Sequence, residues 1–263
     1  MTDTWNPAQY EKYRAEREQP FADLFAMIRP VPSPRVVDLG CGTGRLTRRL
    51  HAALGARETI GVDRSGRMLE QARAGGDTPG LRFERGDIGL FEPETPFDIV
   101  FSNAALHWVD DHPSLLARLA AAVAPGGQLV FQIPAAHDSP SHTVAEELTR
   151  LEPFAAALGG WHRPQPVLPA ADYARLLFRH GFVEQQTRLV IYPHVLQSRD
   201  EVVEWMRGSL LTEYERHLPT MLFQTFVDRY RERLLPQLDD TRPFFFPFPR
   251  ILCWGRQSQA AGA

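Results

Sequence analysis

The stretch Val36-Val37-Asp38-Leu39-Gly40-Cys41-Gly42-Thr43-Gly44 decides the architecture of this chain. An apolar run closes on an acid, then breaks into a turn with glycine at alternate positions, and a helical pattern over Arg45–Leu54 follows at once. A short apolar run bounded by turn residues reads as a strand buried on both faces, as in parallel sheets. The next run, Glu58–Val62, ends in Asp63, and Ser65 caps a helix over Ser65–Ala74. Leu81–Arg85, Phe97–Ser102 and Gln128–Ile133 continue the series, with a helix from Pro113 to Val123 before the last of them. Strands and helices alternating at this spacing predict an α/β fold with a doubly wound parallel sheet.

In such a sheet, ligands collect beyond the carboxyl ends of the strands, at the topological switch point. Gly40, Gly42 and Gly44 stand just past the first strand, where a backbone without Cβ atoms can turn sharply and approach a ligand. Asp38 either orders that loop or receives an ammonium group. Asp63 offers the two-oxygen acceptor that a ribose diol needs. In Gly86-Asp87-Ile88, Asp87 accepts an adenine amino group or, alternatively, caps a helix. Arg64 and Ile88, next to these acids in the sequence, are further cofactor-binding candidates, and Met68 packs either on the purine face or in the core. A dinucleotide fingerprint requires a sixth-position glycine so that the helix can carry a pyrophosphate. Here the run is G-x-G-x-G and position 45 is Arg. A donor without phosphate does not need that glycine, so the spacing favours S-adenosylmethionine over NAD, with S-adenosylhomocysteine as product. An oxidoreductase is the weakest reading for the same reason.

The 263 residues suit one large α/β domain carrying an inserted subdomain. A formal charge of −3 and the lack of a dense Lys/Arg block give no electrostatic case for nucleic acid. Two cysteines, Cys41 and Cys253, cannot build a disulfide framework, and neither has paired metal-ligand spacing. Cys41 reads as a packing residue. The polar opening from Met1 to Pro20 lacks a signal core, and no apolar run reaches the length of a membrane helix. A cytoplasmic enzyme, monomer or homodimer, without membrane or nucleic-acid partner is the expectation.

The chain divides into an arm over 1–34, a core over 35–192 and 250–256, and an insertion over 193–249. In the arm, Asn6-Pro7 starts a helix through Tyr10, Tyr13 and Arg17, and a second segment runs from Pro20 to Ile28. Past Ile133 come a helix over Thr143–Leu151, a proline-rich loop over Arg163–Pro169, a helix over Ala170–His180 and a strand over Phe182–Tyr192. Ser198-Arg199-Asp200-Glu201 has the capping-box pattern, opening a helix with Val202, Trp205, Met206 and Leu210 on one stripe. A further helix covers Pro219–Leu235, and the last strand is Arg250–Gly255, after the apolar run Phe244–Phe248. The insertion is far longer than a hairpin loop. It reads as a helical cap over the site, or otherwise as a packed layer or dimer contact.

Asp38-Leu39-Gly40-Cys41-Gly42-Thr43-Gly44, with Pro125-Gly126-Gly127 ahead of the fifth strand, resembles the class I S-adenosylmethionine-dependent methyltransferases. That likeness implies a seven-stranded, mostly parallel, Rossmann-like sheet with an antiparallel last strand. A narrower likeness rests on Trp5-Asn6-Pro7-Ala8-Gln9-Tyr10, Asn103-Ala104-Ala105-Leu106-His107-Trp108, Glu204-Trp205 and Phe248-Pro249-Arg250, which are similar to trans-aconitate 2-methyltransferases. It implies an arm folded over the donor, with Tyr10, Tyr13 and Arg17 near its methionine part. Where that family carries Gly-Leu-Arg-Pro, this chain has Ser209-Leu210-Leu211-Thr212-Glu213, which removes a candidate carboxylate clamp. Asn103 and His107 face the expected reacting centre, and His107 and Trp108 shape the acceptor pocket. Arg207 and Arg250 are the carboxylate-binding candidates; alternatively, Arg207 is a solvated helix residue and Arg250 braces the last strand. The expected activity is O-methylation of a small carboxylic acid. Alternatives are a malonyl-acyl-carrier O-methyltransferase, an N- or C-methyltransferase using His107 as base, and a noncatalytic S-adenosylmethionine-binding protein.

Overall fold

The computed structural model describes residues 14–259. Strands β1 (Arg35–Leu39), β2 (Glu58–Asp63), β3 (Leu81–Arg85), β4 (Phe97–Asn103) and β5 (Val123–Pro134) run parallel. β6 (Phe182–Leu196) and β7 (Phe244–Gln257) complete a seven-stranded sheet in the order β3-β2-β1-β4-β5-β7-β6, with β7 antiparallel to both neighbours. The chain steps outward from β1 to β2 and β3, then returns to β4 on the other side, so the switch point lies between β1 and β4. Helices α1 (Arg14–Phe25), α2 (Arg45–Leu54), α3 (Gly66–Ala74) and α4 (His112–Ala121) flank this half.

β1, β2, β4 and β5 are buried along most of their length, as their apolar runs predict, whereas β3 at the sheet edge keeps Phe83 alone buried. Val37, Leu39, Val100, Leu129 and Phe131 point into one core, closed by Leu115, Leu119 and Tyr173. Val36, Ile99, Phe101 and Val130 point into the other, against Phe21 and Leu24 of α1. Burying such side chains contributes about 1.5–3 kcal/mol each, which fixes the strand ends to which the loops are tied. Cys41 packs with Leu69, Ala72 and Phe83, and both cysteines are buried and free.

Several elements run differently from the sequence reading. Pro125-Gly126-Gly127 lies within the opening of β5 rather than ahead of it; the pairing with β4 slips between Phe97 and Ile99, which absorbs the irregular residues. β6 and β7 extend well past Tyr192 and ahead of Arg250, pairing out to Leu196 with Phe244. The apolar run Phe244–Phe248 is therefore strand, its alternate residues buried. Helices α5 (Pro140–Thr149), α6 (Phe154–Leu158) and α7 (Ala170–Arg179) come before this arm, and α8 (Asp200–Arg207), α9 (Leu211–His217) and α10 (Thr220–Leu234) lie between its strands. α6 and α9 are too short to give a helical period in the sequence. Ser198 does not cap α8; Glu201 instead accepts from the Gln197 N–H at 2.9 Å.

A separate apolar core joins α5, α6 and α8–α10 to the inner face of the extended strands, through Phe154, Trp205, Tyr214, Phe226, Phe246 and Phe248. This layer stands over the carboxyl end of β5. Among the described residues, no helix is long and apolar enough to cross a membrane.

Candidate active site

Two adjoining cavities open at the carboxyl ends of the central strands, and both are walled by Asn103, Ala104 and Trp108 from the turn after β4. The first has a volume of about 290 Å³. Gly40 and Gly42 reach it from the β1 loop, and Asp63, Arg64 and Met68 from the end of β2 and the start of α3. Asp87 and Ile88 close it from the β3 loop.

Backbone geometry explains the glycines. Gly40 has φ +81°, and a Cβ there would lie 2.1 Å from the Ala105 Cβ, so only glycine lets the β1 loop meet the β4 turn. Gly44 is needed for a different reason. It opens α2 at φ +71°, where a Cβ would come within 2.5 Å of the Phe83 ring, and it does not line the cavity. The Gly40 and Cys41 N–H groups both donate to the Val62 carbonyl, at 2.8 and 3.1 Å. The Gly42 and Ser65 N–H groups donate to the two Asp63 oxygens, each at 2.9 Å. Asp63 is thus held by two backbone donors, one to each oxygen.

Asp38 lies behind this loop, buried and absent from the cavity wall. Its carboxylate accepts from Thr47 Oγ1 of α2 at 2.6 Å. Burial pushes its pKa up to about 7 against the effect of that bond, and the nearby Asp63 charge adds to the rise. Asp87 caps a 3-10 turn, Oδ1 accepting from the Gly89 N–H at 2.8 Å, and the residue also lines the cavity. Met68 is likewise both buried and on the wall. The charged lining residues are Asp63, Asp87, Asp110 and Arg64. An acid-rich wall suits a nucleoside that carries positive charge, and it opposes a pyrophosphate.

The second cavity, about 100 Å³, lies between the β4 turn, the inner ends of β5 and β7, and the roof formed by Trp205, Met206 and Leu210. Ala104, at the seam of the two cavities, has φ +56°, a conformation that costs a non-glycine residue about 1–3 kcal/mol. Its N–H donates to the Gln132 carbonyl at 2.9 Å. The Gln132 side chain donates to Asn103 Oδ1 at 2.8 Å and accepts from Arg250 Nη1 at 3.2 Å. Arg250 is buried, with its guanidinium 4.9 Å from the Phe248 ring centre. The Arg163 guanidinium stands 5.7 Å from the Trp108 ring, and His107 lies 4.7 Å from that same ring.

Among the described residues, His107 Nδ1 is buried without a hydrogen-bond partner. Burial holds the His107 pKa well below the usual imidazole range, and the Arg163 and Arg250 charges lower it further. Burial and Arg163 likewise bring His142 down to about 3. Both imidazoles are therefore neutral at physiological pH. Among the described residues lining this cavity, Arg163 and Arg250 alone carry full charge, and none is acidic.

Arg207 is not at either cavity. Its neighbours Met206 and Gly208 line the second one, whereas Arg207 itself is exposed on the opposite face of α8. It is the solvated helix residue of the alternative reading. Tyr10 and Tyr13 lie outside the described residues, and Arg17 falls within α1. Arg163, His142 and Gln132 were not anticipated. A signal existed for Gln132, since a glutamine inside an otherwise apolar strand must find polar partners. The loop around Arg163 offered no periodicity to read.

Comparison with known proteins agrees with this geometry. Residues 36–127 match a family model described as a methyltransferase domain. The chain is 40% identical to a trans-aconitate 2-methyltransferase of Deinococcus radiodurans, covering 95% of this chain and 96% of that one. A Methylobacterium nodulans protein of the same name is 36% identical over 97% of this chain and 99% of its own. The crystal structure of an S-adenosylmethionine-dependent methyltransferase from Mesorhizobium loti superposes with a TM-score of 0.51 at 25% identity, covering 90% and 96% of the two chains. With a Rossmann-like sheet, the glycine turn and near full-length relatives in agreement, the chain belongs to the trans-aconitate 2-methyltransferase family of S-adenosylmethionine-dependent methyltransferases.

Proposed function

We propose that this enzyme O-methylates a carboxylate of a small polycarboxylic acid, of the trans-aconitate kind, in the cytoplasm. The observation that carries the reading is the contrast between the cavities: among the described residues, three acids and Arg64 line the donor side, and two guanidiniums with no acid line the other. S-adenosylmethionine, when bound, supplies a methyl group activated on a sulfonium. Asp63 is suited to accept from its ribose hydroxyls and Asp87 from its adenine amino group, while the bend at Gly40 and Gly42 leaves room beside them.

The protein's task on the acceptor is chiefly to orient it. A carboxylate is ionised at neutral pH and needs no general base. Arg250, held by Gln132, presents a planar fork that matches a carboxylate. Neutral His107 then serves as a hydrogen-bonding wall rather than a proton acceptor. Trp205, Met206 and Leu210 exclude water above the seam, which favours a reaction in which an anion and a cation neutralise each other. In this reading the helices between β6 and β7 serve as a cap, since α8 and the residues after it line the second cavity.

A labelled-methyl screen with mass detection of product esters tests the reading, with mono-, di- and tricarboxylates run beside amines and phenols. Esters of polycarboxylates are expected. Transfer to amines or phenols alone would refute the acceptor class.

A further inference from the structure

We infer that Arg163 is a specificity-determining residue: it binds a carboxylate of the acceptor other than the one that is methylated. The inference rests on the acceptor class proposed above and adds the residue that selects for a second negative charge.

Arg163 lines the second cavity together with Arg250, and lies over the Trp108 ring. Its acidic neighbours, Glu213 and Asp110, act on it only at a distance, and desolvation lowers its pKa more than they raise it. Among the described residues no carboxylate forms an ion pair with it, and Glu213 is paired with Arg216 at 2.5 Å. A half-buried guanidinium lining a cavity with no acid among the described residues is an anion site awaiting its anion.

The loop is built to hold it there. Trp161 stacks on His217 of α9 with ring centres 3.8 Å apart, and meets Tyr214 edge-on at 5.6 Å. On the other side of Arg163, the Leu168 N–H donates to Tyr173 Oη at 3.1 Å. That hydroxyl also bonds His112 Nδ1, and His112 Nε2 bonds the Leu106 carbonyl at 3.1 Å. The Arg163 loop is therefore tied to the turn that carries His107 and Trp108. Two forks, each with its own scaffold, line one cavity. An acceptor with carboxylates at both ends satisfies both, whereas a monocarboxylate leaves one guanidinium without its anion.

The test compares steady-state kinetics of the wild-type chain, Arg163→Ala and Arg163→Lys with trans-aconitate and with crotonate, an unsaturated monocarboxylate. For Arg163→Ala, KM for trans-aconitate should rise by about 30-fold or more, with kcat kept within a few-fold, because a contact equal in ground and transition states is lost. Crotonate should be unaffected, and the lysine variant should fall between, since it keeps charge but not the fork. Thermal melts should match wild type. Loss of kcat at constant KM, an equal loss for both acceptors, or no change with trans-aconitate would overturn the assignment. If the wild-type chain methylates no carboxylate at all, the acceptor class itself fails, and the role of Arg163 fails with it.

Discussion

Asp38→Asn should make the donor-free protein more stable, and increasingly so as pH rises. In the native fold the Asp38 carboxyl is buried behind the glycine loop, accepts one hydrogen bond from Thr47 and stands near the Asp63 charge. Its pKa is about 7, against 3.8 for an ordinary aspartate. Because the folded value is the higher one, the native state holds a proton that the unfolded chain has released between about pH 4 and about pH 7. The stability this group contributes is complete below the unfolded pKa and is lost as pH rises through the folded one. Integrated over that window, the loss is on the order of 4 kcal/mol. Asparagine keeps the shape, can accept the same Thr47 bond and does not titrate. Urea unfolding of both proteins from about pH 4 to about pH 8 isolates the effect, since other titrating groups cancel in the difference. The difference should grow in favour of the variant by several kcal/mol. A difference that stays flat, or one that grows in favour of wild type, would refute the reasoning. Repeating the series with saturating S-adenosylhomocysteine separates the two roles left open for Asp38. An ammonium group meeting the carboxylate would flatten the pH dependence, whereas a loop-ordering role would leave its slope.

Asp63→Ala removes the acceptor of two backbone donors at 2.9 Å, each bond worth about 1.5–3 kcal/mol because the acceptor is charged, and calorimetry should show S-adenosylhomocysteine binding at least a hundredfold weaker. Unchanged affinity would remove Asp63 from the donor site. Tyr173→Phe leaves His112 Nδ1 and the Leu168 N–H without their shared partner, so chemical denaturation should show a loss of about 1–3 kcal/mol. No loss would mean that the hydroxyl does not brace the two loops. Since burial and two arginines keep His107 neutral, His107→Gln should leave the shape of the pH–rate profile unchanged from about pH 6 to about pH 8. A limb near 6.5 that vanishes in the variant would restore His107 as a base.

How legible each part was depends on what fixes it. The inner parallel strands could be read because residues such as Val36, Val37, Ile99 and Val100 are buried on both faces, and the few polar residues among them, such as Asp38, Thr59 and Gln132, leave the apolar runs recognisable. The outward reach of β6 and β7 was hidden because Pro193, Pro247 and Pro249 sit inside them, and proline normally argues against a ladder. Its partners here are other prolines and large apolar residues, and burial of the alternate phenylalanines outweighs the lost donors. Arg207 could have been set aside from the sequence, since the stripe of Val202, Trp205, Met206 and Leu210 already turns position 207 away from the buried face.

What the sequence determined by itself is therefore local: the glycine bend, the acids at strand ends and the alternation of strand and helix, each encoded in a few adjacent residues whose backbone or burial demands leave little choice. Tertiary structure alone decided which charges meet. Arg163 comes from an aperiodic loop and Arg250 from a late strand, and they share a cavity only because Trp161 stacks on α9 and β7 returns antiparallel beside β5. Packing between distant elements, which no local pattern records, makes that pairing.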